Sequence, residues 1–163
     1  MPWSKRANRR FVEGDYILAN RKILRGRGIT HGKVEGEAIV SSSAFGFYGA
    51  VDPSTGIVAD KRHELFGKSI AGKILVFPEG RGSTAGAIAI LELARLGTVP
   101  AAMINRVTEP ILATGAILAE KFYNRIIPVV DNLDSDPIRE LSDGDRVTVD
   151  ADKGEVIIHK KAV

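Results

Sequence analysis

The 163-residue chain contains no cysteine. Disulfides are therefore excluded, as is any thiolate ligand from this chain to zinc or to an iron–sulfur cluster. The three histidines, His31, His63 and His159, stand far apart and make no metal-binding spacing, so each reads as a surface or core residue. No apolar run reaches the ~18 residues of a membrane-spanning helix. The charged N-terminus is followed by no apolar segment of the signal-peptide kind, and a cytoplasmic location is the expectation. There is no Gly-x-Ser-x-Gly elbow, and no histidine lies near a plausible strand end to serve as a serine's base. The usual hydrolytic arrangements are thus poorly supported.

What is present is an ordinary globular balance, 44% hydrophobic and 26% charged. The length suits one compact domain over residues 15–163, preceded by a basic extension, residues 1–14. The net charge is only +3, but Lys5, Arg6, Arg9, Arg10, Arg21, Lys22, Arg25 and Arg27 are crowded into the N-terminal part. Such an arm suits nucleic acid or an acidic partner surface, although most charge runs are solvated tails. Trp3, Phe11 and Tyr16 are isolated and suggest no base stacking.

The pattern along the chain predicts strands from Tyr16 to Leu24, from Val34 to Val40, and briefly from Ile57 to Ala59, with Gly26, Gly28 and Gly32 as breaks. Asp52-Pro53-Ser54-Thr55-Gly56 is a strong turn signal. The apolar run Lys73 to Phe77 reads as a buried strand. A helix from Ala85 to Leu96, apolar at nearly every position and ended by Gly97, is expected to be mostly buried. Next come a strand from Pro100 to Ile104, a helix capped by Thr108 and running to about Lys121, and a strand from Ile126 to Val130 ended by Asp131. Arg146 to Asp150 and Glu155 to His159 make a hairpin around Ala151-Asp152-Lys153-Gly154. The fold class is α/β, a βαβαβ core over residues 73–130 wrapped by additional β-strands.

In such a unit ligands gather at the carboxyl ends of the strands, which selects the loops Pro78 to Thr84, Asn105 to Thr108 and Asp131 to Asp136. The first carries the most chemistry. Gly80 and Gly82 permit a tight turn, Ser83 and Thr84 open a helix whose unpaired amides favour an anion or a serine alkoxide, and Arg81 adds a fixed charge. The competing reading is that Ser83 or Thr84 is only a helix cap. Gly80-x-Gly82-x-x-Ala85 also matches the dinucleotide fingerprint loosely, but Asn105 and Arg106 stand where an acidic ribose ligand is required.

Several segments, taken together and in order, resemble the small subunit or domain of the aconitase X family. They are Phe47-Tyr48-Gly49-Ala50-Val51-Asp52-Pro53-x-Thr55-Gly56, His63, Gly67, the strand Lys73 to Phe77, Gly80-Arg81-Gly82-Ser83-Thr84, Pro100-Ala101-Ala102 and Thr114-Gly115-Ala116. The likeness covers roughly residues 17–150, with Gly46 and Ala50 departing from the family's usual residues. It implies a swivelling β/β/α domain like the mobile domain of aconitase. It also implies a large partner subunit carrying a 4Fe-4S cluster that this chain does not ligate. The implied reaction is dehydration of an anionic hydroxy acid: the cluster iron acts as Lewis acid on the leaving hydroxyl, and a serine takes the proton next to the carboxylate. Carried over, that serine is Ser83, with Arg81, Gly82 and Thr84 as substrate-binding residues. The substrates implied are (R)-5-phosphomevalonate, converted to trans-anhydromevalonate 5-phosphate in a modified mevalonate pathway of isoprenoid synthesis, or cis-3-hydroxy-L-proline. A free, basic, cysteine-free small chain leans toward the first. The rival of another class is a non-catalytic module binding anions or nucleic acid. A solvated arm predicts that deleting residues 1–14 leaves assembly with the large partner unchanged in size-exclusion chromatography, whereas a docking arm predicts weakened assembly.

Overall fold

The computed structural model describes residues 20–160, so the basic extension and the start of the strand expected from Tyr16 lie outside the described residues. Eight strands are formed among them: β1 Arg21–Arg25, β2 Arg27–Gly28, β3 Lys33–Val40, β4 Ile74–Val76, β5 Ala102–Ile104, β6 Val129–Asp131, β7 Arg146–Asp150 and β8 Glu155–His159. The helices are α1 Ala85–Leu96, α2 Pro110–Tyr123 and the single turn α3 Pro137–Glu140.

The strand order is β1-β8-β7-β3-β4-β5-β6-β2. β3, β4, β5 and β6 run parallel, as the βαβαβ reading requires. β3 changes partner along its length: residues 33–37 pair antiparallel with β7, and residues 38–40 pair parallel with β4. β1 and β2 occupy opposite ends of this order, yet only Gly26 separates them in the chain. Eight flat strands spaced ~4.8 Å apart would hold those ends ~34 Å from each other. The sheet must therefore curl round until its edges meet. The Gly26 amide marks the seam, donating to the Gly154 carbonyl of the β7–β8 turn at 2.8 Å.

Period-2 alternation assigns the two faces. Ile74, Val76, Ala102, Ile104 and Val130 point inward, where they meet Val147, Val149, Val156 and Ile158. Leu75, Phe77, Met103 and Val129 point outward, against Ile90 and Leu93 of α1 and Leu112, Ala116 and Ala119 of α2. Ile39, on the charged face of its strand with Glu35 and Glu37, is buried in the helix-side cluster because the second half of β3 is covered on both faces.

The bounds of α1 and of the β7–β8 hairpin agree with the sequence pattern. Other expectations are corrected. Helix α1 buries only Ala87, Ile90, Leu93 and Ala94, and leaves Ile88 and Leu96 exposed, because it lies on the outside of the barrel and meets core on one face. Glu109, not Thr108, caps α2: its carboxylate accepts from the Ile111 and Leu112 amides at 2.7 and 2.9 Å, while the Thr108 amide and hydroxyl are committed to Asp131 and Asn105. Ile57 to Ala59 forms no named strand: its pairing is limited to the isolated bridges Val51 to Val58 and Ile57 to Ser69. Gly28 pairs within β2 instead of breaking the strand, and β6 begins only at Val129, leaving Ile126 to Pro128 outside it, and ends on Asp131.

Helices α1 and α2 approach closely at Gly115. A β-carbon there would fall 2.8 Å from Ile90 Cδ1 and 3.2 Å from the Ala87 backbone. Gly115→Val is expected to lower stability by about 1–3 kcal/mol through overpacking, read as an earlier urea midpoint with an unchanged slope.

Candidate active site

β4, β5 and β6 are adjacent and parallel, so the loops after them meet at one edge, as the sequence reading requires. There they are stitched together. The Arg106 amide donates to the Pro78 carbonyl at 2.9 Å, and the Asn132 amide donates to the Arg106 carbonyl at 3.0 Å. Arg106 grips Asp136 through two bonds of 2.9 and 2.8 Å. Asp131 is fully buried and accepts two bonds from Arg27, both 3.0 Å, and one from the Thr108 amide at 2.7 Å. Burial pushes the Asp131 carboxyl up, but these donors outweigh it and hold the group below the usual aspartate range. Asn105 is also fully buried, with its side-chain amide donating to the Phe77 carbonyl at 3.1 Å. It does not face a ribose site, and the dinucleotide match gains nothing from its position. The second and third loops thus spend their polar groups on one another.

The β4–α1 turn differs. Its base is tied down: Gly80 bridges to Phe45, the Arg81 amide donates to the Phe45 carbonyl at 2.9 Å, and the Phe45 amide donates to Glu79 at 3.1 Å. Gly82 then takes φ +120°, open only to glycine, with nothing within 4 Å of where a β-carbon would stand. The helical turn starts at Ser83, whose carbonyl accepts from the Gly86 amide at 2.8 Å. Thr84 occupies the cap position with helical angles, φ −47° and ψ −29°, and its side chain makes no cap bond. The Ser83 hydroxyl makes no hydrogen bond among the described residues either. The cap reading of this pair is therefore not what the geometry displays, and the amides of Gly82, Ser83 and Thr84 have no backbone partner among the described residues. Arg81, Gly82, Ser83 and Thr84 are all exposed, and a cleft of about 10 Å³, room for one water, is lined by Arg81, Gly82, Ser83, Phe45, Phe47 and Glu109.

Under the turn lies an aromatic platform. Phe45 packs edge-on to Phe47 with ring centres 5.0 Å apart, and its ring lies 5.6 Å from that of Phe77. His63 meets Phe45 edge-on at 5.2 Å. Its ring is oriented by the Leu65 amide, which donates to Nδ1 at 3.1 Å, so the proton resides on Nε2 and faces the Ser41 hydroxyl at 3.4 Å. Ser41, fully buried, donates to Glu64 at 2.8 Å. The trio has the composition of a hydrolytic triad but not its wiring: Ser41 Oγ lies 2.8 Å from both Glu64 and the Ser43 carbonyl, so its proton has acceptors other than the histidine, which donates to the serine. Glu64 also accepts from the Ser42 hydroxyl at 3.0 Å and from the Ser43 amide at 2.8 Å, so it anchors the segment leading to Phe45. Sequence reasoning missed Ser41 and Glu64; their only signal was the serine run Ser41-Ser42-Ser43, which does not name its partner.

No cysteine is present, and among the described residues no three His, Asp or Glu side chains come together to hold a metal ion. The residues of this chain therefore do not fit an iron–sulfur cluster. Among the same residues no helix is long and apolar enough to cross a membrane.

A curled β-layer, a parallel sheet and a helical layer, with an exposed turn at the sheet's carboxyl edge, define a β/β/α domain. The model of the aconitase X swivel domain matches residues 23–158, and the chain belongs to that family. It is 47% identical, over 84% of its length and 91% of the relative's, to the phosphomevalonate dehydratase small subunit of Methanosarcina acetivorans. It is 49% identical to the protein of that name from Thermococcus kodakarensis, over 83% and 95% of the two chains. Among solved structures it resembles a chain of the holo-form of Thermococcus kodakaraensis aconitase X, with a TM-score of 0.76, 48% identity and 84% and 98% coverage. A UPF0107 protein solved by NMR follows at TM-score 0.72, 43% identity and 83% and 97% coverage.

Glu64 supplies a pH test. Burial raises its pKa, but the donors of Ser41, Ser43 and Ser42 prevail and lower it from 4.5 to about 2. A carboxylate depressed on folding stabilises the fold above its unfolded pKa and ceases to do so as pH falls through the folded one. The contribution should be complete above about pH 4.5 and vanish toward about pH 2. Solvent screening of this exposed group limits it to on the order of 1 kcal/mol. Glu64→Gln should flatten the acid limb of a thermal-midpoint-versus-pH curve in that window.

Proposed function

We propose that this chain is the small subunit of a heteromeric hydro-lyase that dehydrates (R)-5-phosphomevalonate to trans-anhydromevalonate 5-phosphate. The reading is supported by relatives of that name at 47–49% identity over more than four-fifths of the chain. Their names weigh toward the phosphorylated substrate over cis-3-hydroxy-L-proline, and toward an enzyme subunit over a module that only binds anions or nucleic acid. The observation that carries the site is the state of Ser83: exposed, at the start of α1, with neither its hydroxyl nor the neighbouring amides bonded to any of the described residues.

In this reading Ser83 Oγ is the base. Dehydration takes a proton from the carbon beside the carboxylate and hydroxide from the next carbon, the two together making up the one water lost. An ordinary serine hydroxyl is too weak a base for the first task. Amides at the helix start and the Arg81 guanidinium stabilise its alkoxide, and with it the proton-accepting form. Gly82 and Thr84 present donors to the substrate's carboxylate through their backbones. The larger partner subunit implied by the relatives' names would cover the exposed turn and carry the 4Fe-4S cluster on its own residues.

The test is co-expression with the large subunit under anaerobic conditions. Dehydration of phosphomevalonate is expected, and Ser83→Ala should lower kcat by roughly 10²–10⁴-fold while the complex elutes unchanged. Full activity in Ser83→Ala would remove the proposed base.

A further inference from the structure

Beside the Ser83 cleft opens a second, larger groove of about 480 Å³, whose lining includes Tyr48, Asp60, Lys61, Arg62, Arg81 and Gly82. Arg81 and Gly82 line both, so the two adjoin. We propose that this groove is the phosphate-binding subsite of the enzyme, with Lys61 and Arg62 as the residues that recognise a substrate's phosphoryl group and Asp60 as their positioning residue. The proposal rests on the dehydratase reading above and deepens it.

Charge is the first argument. Three cations face one carboxylate in this groove. Asp60 is largely buried, its side chain 16% exposed, and lies 3.6 Å from Arg81 Nη2 and 3.5 Å from Arg62 Nε. It also accepts from the Arg62 amide at 3.0 Å, which fixes the turn bearing both residues. One carboxylate divided between two guanidiniums at such distances leaves both with donors to spare, and Lys61 has no ion-pair partner among the described residues. The excess positive charge suits a phosphate dianion, which guanidinium forks and an ammonium bind well. Space is the second argument. Gly49 and Gly82 form parts of the wall, and at both a β-carbon would meet nothing within 4 Å. The absent side chains leave room for a ligand rather than for packing.

The proton removed by Ser83 comes from the carbon beside the carboxylate, and the phosphate is at the opposite end of the substrate. About 6 Å of extended chain separates that carbon from phosphorus. A substrate reacting at Ser83 and extended past Gly82 would carry its phosphate toward the groove that Arg81 and Gly82 border. The same groove would separate phosphorylated from unphosphorylated hydroxy acids.

The experiment uses the assembled holoenzyme with Lys61→Ala/Arg62→Ala, both side chains being exposed and outside the core. KM for phosphomevalonate should rise at least about tenfold with kcat within about twofold, and turnover of unphosphorylated mevalonate should be unaffected. The wild-type complex should bind inorganic phosphate in calorimetry and the variant should not. An unchanged KM, an equal loss with mevalonate, or dissociation of the complex on size exclusion would overturn the proposal, the last by assigning these cations to subunit docking. Failure of the wild-type complex to dehydrate phosphomevalonate would instead count against the proposed substrate, and the phosphate titration would still decide the groove.

Discussion

The structure depends on one constraint: β4 and β5, and the apolar residues of β6, are buried on both faces. A parallel sheet of this kind has no face to give to water and must be covered twice. One cover is the helix pair α1 and α2; the other is the remainder of the sheet itself, curled until β1 and β2 meet around Gly26. Once both faces are closed, only the strand ends remain for chemistry. The amino ends receive the chain from the helices, while the carboxyl ends release it into three loops.

Those loops are not equivalent. Asp131 is a buried carboxylate, and leaving it unpaired would be costly. Arg27 and the Thr108 amide satisfy it, which locks the seam strand β2 and the start of α2 to β6. Asn105 and Arg106 make similar local commitments. The polar residues of the second and third loops therefore hold the edge together, while in the β4–α1 turn, braced from below by Phe45 and Glu64, the amides of Gly82, Ser83 and Thr84 have no backbone partner among the described residues.

Local signals were readable to the residue. Gly97 ends α1 in the left-handed region, at φ 75°, and the Ala151 to Gly154 turn fixes the β7–β8 register. The parallel order of β4, β5 and β6 followed from strand and helix alternation. Non-local features were not readable. β2 has two residues and α3 one turn, too short for any periodicity to reveal. The curling of the sheet depends on which edges meet, and no window of sequence contains both. Thr108 looked like the cap of α2 because its hydroxyl has the right chemistry, but Asn105 claims it and Glu109 reaches the amides instead. Ser83 and Arg81 stood out because glycines flank them. Glu64 did not, because its partners lie more than twenty residues away.

The proposal that Ser83 is the base meets a physical difficulty, because the residue lies on the surface. Water solvates an alkoxide well and also protonates it, and in high dielectric the amides at the start of α1 and the Arg81 charge lose most of their force. The isolated chain therefore presents Ser83 in the environment least suited to catalysis. Exposed apolar side chains near the turn, Tyr48 and Ile88, which line one groove, are the kind that mark a contact surface. On the dehydratase reading, covering that surface displaces water, strengthens the same donors and encloses the substrate in a single event. Activity then belongs to the assembled enzyme, because the chain that supplies the base does not by itself supply the medium in which the base works.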